Sequence, residues 1–276
     1  TTKGYAELDV PNDEGLELLL ENSFAAAAHN LGSDKQFFDL VFYGKTPRDE
    51  PATITDPEED AVLLFDPQEA VALPHMPVAM TPAKERFEDI IKSAVLIQAG
   101  NTHGSGFFLT PDGHILTNAH VVGNAKRVRV VTSGKKEKLI AEVLRKDMLR
   151  DVALLKLEKI PDDFKPKPLP IRRDKPKVGE EVYAVGSPLL TKLQDTVTHG
   201  IISAHRFDRR EKQHYMQADV DIYGGNSGGA LIDEHGNVVG LSVLGYIVGG
   251  ADTLGGLNWF IPIGDALDEL KITTAE

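Results

Sequence analysis

A mainly β fold, barrel or sandwich, behind an acidic and partly helical front segment is what this sequence predicts. Three observations carry it. From about residue 94 onward, short runs of apolar and β-branched residues alternate with turn signals, with no βαβ alternation of strands and long helices. A proline-rich stretch at 161–177 interrupts these runs once, as a connection crossing a surface would. The charge is also divided: residues 1–84 hold 16 acids against 5 Lys/Arg, and residues 85–276 hold 26 against 25, so nearly all of the net −12 lies in front.

In chain order, residues 14–30 read as a helix, with Leu16, Leu18, Leu19 and Leu20, then Phe24 and four alanines, closed by Asn30-Leu31-Gly32. Residues 36–43 form a second apolar segment, 45–60 a linker rich in Pro, Asp and Glu, and Pro74, Pro77 and Pro82 punctuate an extended stretch. Strands follow at 94–97, 106–109, 128–132, 139–144 and 152–157, and past the proline-rich break at 181–185, 196–204, 214–218, 230–232, 238–243 and 257–261. The residues from Ala230 to Val243 read as a hairpin around Asp233-Glu234-His235-Gly236, and 264–270 as a short helix.

Composition excludes more than it identifies. With 276 residues, the chain is long enough for two domains or for one domain and an extension. No apolar run approaches the roughly 18 residues of a membrane span, and the absence of cysteine excludes a disulfide framework and thiolate metal sites. The acidic balance argues against nucleic acid as a partner. Gly44-Lys45-Thr46 lacks the earlier glycine of a phosphate loop, since Asp39 stands there. A chain opening at Thr1 is expected to carry no signal peptide.

The chemistry is concentrated in Gly225-Asn226-Ser227-Gly228-Gly229, a serine between glycines that let the backbone bend and expose successive N–H groups. A serine hydroxyl is a weak nucleophile near neutral pH and needs a base and an orienting acid. His120, ending the run Thr117-Asn118-Ala119-His120, and Asp151, heading Val152-Ala153-Leu154-Leu155, supply them. The order His, Asp, Ser is not the Ser, acid, His order of the α/β-hydrolase elbow, which also requires a helix after the serine. Only His235 follows Ser227, and it sits in the hairpin turn.

On these motifs, with Gly104-Ser105-Gly106, Gly186-Ser187-Pro188, the 196–203 run and Asn258-Trp259-Phe260-Ile261-Pro262-Ile263, the chain resembles the trypsin-like serine proteases, in particular the HtrA/DegP type, over residues 86–271. The resemblance implies a chymotrypsin-like fold: two six-stranded antiparallel β-barrels, about 94–160 and 178–263, with residues 1–85 left in front as an acidic extension or domain remnant. Family members usually carry a peptide-binding PDZ domain after the protease, whereas in this chain, which reaches Glu276 soon after the closing strand, none is expected. It implies a serine endopeptidase acting through His120, Asp151 and Ser227, with an oxyanion hole from the backbone of Gly225, Asn226 and Ser227, and with no metal or organic cofactor. Asp221, six residues before Ser227, and also Ser242 and Leu244 are the substrate-binding candidates; a carboxylate at 221 would favour Lys or Arg. Tyr223-Gly224 departs from the family's usual Asn-Pro.

The same resemblance implies polypeptide substrates, an extracytoplasmic bacterial setting, a homotrimer, and loops at 189–195 and 244–256 that order or disorder the oxyanion hole. A latent or inactive protease-like domain, acting as a protein-binding or chaperone module, is the alternative. Asp147 is expected to cap a turn, His114, His199, His205 and His214 to be structural or exposed, and Ser105 to serve turn formation.

Overall fold

The computed structural model describes residues 70–74, 76–100, 102–132, 138–186, 196–209, 211–222, 225–243 and 258–275. The helix expected at 14–30, the apolar segment at 36–43, the linker at 45–60 and the loops at 189–195 and 244–256 lie outside them.

Fourteen strands are described. β1 (Val71–Pro74) is followed by a 3-10 turn (Ala83–Glu85) and helix α1 (Phe87–Ile91). Next come β2 (Ala94–Ala99), β3 (Thr102–Phe108), β4 (His114–Thr117), the one-turn helix α2 (Ala119–Val122), β5 (Arg127–Thr132), β6 (Leu139–Asp147) and β7 (Val152–Leu157). Beyond the proline-rich connection are β8 (Glu181–Gly186), β9 (Thr196–Asp208), β10 (Gln213–Ala218), β11 (Ala230–Asp233), β12 (Val238–Ser242), β13 (Asn258–Pro262), helix α3 (Ile263–Glu269) and β14 (Ile272–Ala275). Twelve of them, β2 to β13, close into two antiparallel six-stranded barrels, ordered β2-β3-β4-β7-β6-β5 and β10-β13-β12-β11-β8-β9.

The strand sequences explain the layering. β5 alternates exposed Arg127 and Arg129 with buried Val128 and Val130, the period-two pattern of a strand with one wet face. β7 shows no such alternation because both of its faces are dry. Ala153, Leu155 and Leu157 fill the first barrel with Ile97, Phe108 and Ile115, while Val152 and Leu154 point outward into a second apolar layer. That layer is shared: Phe107, Leu116 and Leu154 of the first barrel meet Val185, Ile232 and Leu241 of the second. The second barrel has its own core, including Ile202, Met216, Leu231 and Phe260. Burial of each such side chain is worth about 1.5–3 kcal/mol, so the shared layer holds the two barrels in a fixed relation.

β4 completes the first barrel, for which the sequence showed only five strands. It has four residues, and only Asn118 separates it from α2, so its short run does not stand out as a strand of its own. The other addition is the parallel pair β1–β14, which joins Val71–Pro74 to Ile272–Ala275. The hairpin β11–β12 and the helix near 264–270 are formed as expected. The proline-rich connection runs over the second barrel, with the Val238 amide bonded to Pro170 O at 2.7 Å.

Candidate active site

His120 is set by its flanks. Asn118 has extended backbone at the start of α2, and Gly123, at φ +53°, stops the helix after a single turn. The Asn118 side chain does not cap that helix. Its Nδ2 donates to the backbone carbonyl of Asp151 at 2.9 Å. Asp151 itself has φ +62°, a left-handed conformation that costs a non-glycine residue about 1–3 kcal/mol, although Asp tolerates it better than most.

Three hydrogen bonds hold it there. Besides the Asn118 contact, Asp151 Oδ1 accepts from the backbone N–H of His120 at 2.9 Å and Oδ2 from His120 Nδ1 at 2.8 Å. A carboxylate can only accept, so Nδ1 donates its proton to Asp151. The His120 side chain is 46% exposed.

Asp147 caps the turn leading into this acid, its Oδ1 accepting from Arg150 N at 2.6 Å. Arg150 is a buried neighbour of this acid that sequence reasoning missed. Its side chain is only 2% exposed. From the residue next to Asp151 it crosses to the second barrel, where Nη2 donates to His214 O at 2.7 Å and Asp265 Oδ2 at 3.2 Å. The guanidinium lies 5.1 Å from the centre of the Tyr215 ring. Burial holds the Arg150 guanidinium below its ordinary range, with Asp265 opposing. Burial and then the Glu211 contact, at 2.5 Å, raise the Tyr215 hydroxyl. An arginine beside an acid in a turn reads as a solvated residue; only its position over Tyr215 reveals the tether.

Ser227 is 5% exposed and is held through its backbone. Its carbonyl accepts from Ser105 N at 2.8 Å, and Ser105 Oγ donates to Gly225 O at 2.7 Å. Ser105 therefore sits in β3 and clamps the serine loop to the first barrel, a correction to its reading as a turn residue. Gly228 N donates to Ser242 O at 2.9 Å and Gly229 N to Asn226 O at 2.8 Å.

Close approach explains one glycine in particular. At φ +85°, a Cβ on Gly228 would collide with Ser105 O and Thr117 Oγ1 and would lie 3.1 Å from Asn118 N, two residues before His120. The loop carrying Ser227 is thus packed against the entrance to α2. Among the described residues, the Ser227 hydroxyl makes no hydrogen bond to His120, and the Gly225 and Ser227 backbone N–H groups have no acceptor. Asn226 Oδ1 and Ser242 Oγ are buried without a partner.

The remaining candidates separate. Asp221 is exposed, and its carbonyl accepts from Thr198 Oγ1 at 2.7 Å. Leu244 lies outside the described residues, as do Tyr223 and Gly224. His114 contacts Thr110 and Asp112, His199 stacks on Tyr183, and His205 Nε2 meets Pro176 O, all away from the serine.

Comparison with known proteins agrees with this geometry. The profile of the trypsin-like peptidase domain matches residues 104–241. A probable periplasmic serine endoprotease, DegP-like, of Hahella chejuensis is 39% identical over 187 residues, 64% of this chain and 37% of that protein. Serine endoprotease DegS of Haemophilus influenzae is 37% identical over 175 residues, 62% of this chain and 50% of that protein. The crystal structure of the serine endoprotease from Yersinia pestis superposes with a TM-score of 0.54 at 30% identity, covering 67% of this chain and 66% of that one. The chain spans 37% to 50% of the length of these two curated relatives. Among the described residues, no helix is long and apolar enough to cross a membrane.

Proposed function

Because the chain belongs to the trypsin-like peptidases, we propose that it is an HtrA-type serine endopeptidase that cleaves polypeptides through an acyl-enzyme. The observation that carries this reading is the His120 Nδ1–Asp151 Oδ2 bond at 2.8 Å on a loop packed against the Ser227 turn.

In this reading, Ser227 Oγ attacks the scissile carbonyl while His120 Nε2 takes its proton and then delivers it to the leaving amine. Asp151 fixes the tautomer and stabilises the imidazolium without being protonated. The N–H groups of Gly225 and Ser227, which have no protein acceptor among the described residues, point to an oxyanion hole, with Asn226 between them. Such donors are worth about 3–4 kcal/mol each in the transition state.

Asp221 gives a modest preference for Lys or Arg at the cleavage site. An exposed carboxylate attracts a cation by about 1 kcal/mol or less, so the gain is about fivefold rather than several orders of magnitude. Short peptides differing only at that position measure it, and equal turnover of Lys and Leu peptides removes Asp221 from the pocket. An extracytoplasmic setting and a homotrimer complete the proposal; cell fractionation and light scattering test them.

A second reading, a latent protease-like binding module, is favoured by the absence of a Ser227–His120 hydrogen bond, although such bonds often tighten only in the substrate complex. Hydrolysis of an unfolded protein by the wild type and by Ser227→Ala decides between the two. Turnover lost in the variant supports the peptidase; no turnover by either protein on any unfolded substrate supports the module.

A further inference from the structure

On the outer wall of the first barrel, a cavity of about 510 Å³ opens among β2, β3, β5 and β6. Strand register explains its floor. Gln98 stands opposite His103 on one side and Arg129 on the other, and Arg129 stands opposite Ile140, so these four side chains form one row across four strands. The row faces outward, because the alternating residues Ile97, Val128, Val130, Leu139 and Ala141 fill the barrel core.

Charge in the row is uneven. Arg127 is paired with Glu158 and feels Glu142 across the ladder. Arg129 is exposed and has no carboxylate partner among the described residues, and Lys138 reaches only the amide oxygen of Gln98, at 3.1 Å. Ile140 is 38% exposed beside them. Among the described residues, the basin therefore presents Arg129 on its wall and Lys138, bonded to the Gln98 of its floor, at its edge, next to the apolar Ile140.

Its position ties it to the active site. Thr102, on the rim, shares its hydroxyl between Ala99 O at 2.7 Å and Val121 O at 3.1 Å, and Val121 follows His120 in α2. His103 is two residues, about 7 Å of strand, from Ser105, which clamps the Ser227 loop.

We propose that this basin is an exosite for an acidic stretch of the polypeptide substrate, with carboxylates on Arg129 and Lys138 and an apolar side chain over Ile140. The proposal rests on the peptidase reading for its substrate but on its own residues for binding. Among the described residues, Arg129 and Lys138 lack a carboxylate partner and Glu142 and Glu158 lie nearby, an arrangement that suits a few spaced carboxylates and disfavours a dense polyphosphate.

The test uses fluorescein-labelled peptides that carry an Asp-Leu-Glu stretch on one side or the other of a cleavable segment, with Asn-Leu-Gln counterparts. Anisotropy with Ser227→Ala protein reads binding without turnover. The acidic peptide binds about three- to tenfold more tightly than its neutral counterpart, and the advantage shrinks as salt shortens the screening length. Arg129→Glu abolishes the advantage and Arg129→Lys retains it; because Arg129 is exposed, both variants keep the wild-type circular dichroism. With active protein, the acid lowers KM and leaves kcat unchanged. Equal affinity for acidic and neutral peptides overturns the exosite, as does an acid preference that survives Arg129→Glu, or tighter Arg129-dependent binding of a DNA oligonucleotide. Arg129-dependent peptide binding without hydrolysis by the wild type overturns the peptidase reading instead.

Discussion

The two barrels contribute to the site in different ways: the first fixes side chains, the second fixes a backbone. On the first, both carboxylate oxygens and the carbonyl of Asp151 are engaged, and the imidazole of His120 has its proton position set by that carboxylate. On the second, the carbonyls of Gly225, Asn226, Ser227 and Gly229 are all bonded, while the Ser227 hydroxyl and the Gly225 and Ser227 N–H groups are unspent among the described residues. Buried N–H groups are seldom left unpaired. The difference teaches where each half finds its partners: the His120–Asp151 half is completed by the protein itself, whereas the Ser227 half keeps donors unspent among the described residues.

The largest effect expected from this contrast is on the acid. Asp151→Asn keeps the geometry but permits the wrong imidazole tautomer, and kcat should fall by about 10⁴-fold with KM little changed, measured on a peptide substrate. Gly228→Ala attacks the backbone half. A Cβ there meets Ser105 O and Thr117 Oγ1 at a positive φ, and urea unfolding should show a loss of about 3 kcal/mol or more.

Arg150→Met removes the tether between the halves. Asp265 keeps Lys175 at 3.2 Å, so no carboxylate is stranded, and the loss should be about 2 kcal/mol with a parallel fall in kcat. An unchanged kcat would make Arg150 a purely structural bridge. Ser105→Ala removes one neutral hydrogen bond, to Gly225 O, and should cost about 1 kcal/mol in stability.

The smallest effect lies away from the site and serves as its control. The Arg172 hydrogen bond, at 2.8 Å, is the main cause holding the Glu180 carboxyl below its ordinary value of 4.5. Between the folded and unfolded values the unfolded chain binds more protons, so this contribution is present above about pH 4.5 and is lost as pH falls below it. Arg172→Ala should make acid unfolding shallower below that pH by less than about 1 kcal/mol, without altering kcat.

Much of this was legible in the sequence because it is local. β7 follows from an uninterrupted run at 152–157 and the β11–β12 hairpin from its turn, and the proline-rich break at 161–177 falls between the strands of the two barrels. Features that depend on distant contacts were not legible. β4 is short and separated from α2 by Asn118 alone, and β1 finds its parallel partner β14 some two hundred residues away. Ser105 looks like a turn serine until the Gly225 carbonyl is beside it, and Arg150 looks solvated until Tyr215 and Asp265 surround it. The left-handed Asp151 leaves no mark in composition, since the hydrogen bonds that hold it come from residues 118 and 120.

The assembly of the two halves into one reactive unit is tested most directly by a fluorophosphonate probe, with the adduct located by mass spectrometry. The account predicts a single modified residue, Ser227, labelled in the wild type and strongly reduced in His120→Ala. Labelling of another serine, or equal labelling with and without the His120 ring, would contradict it.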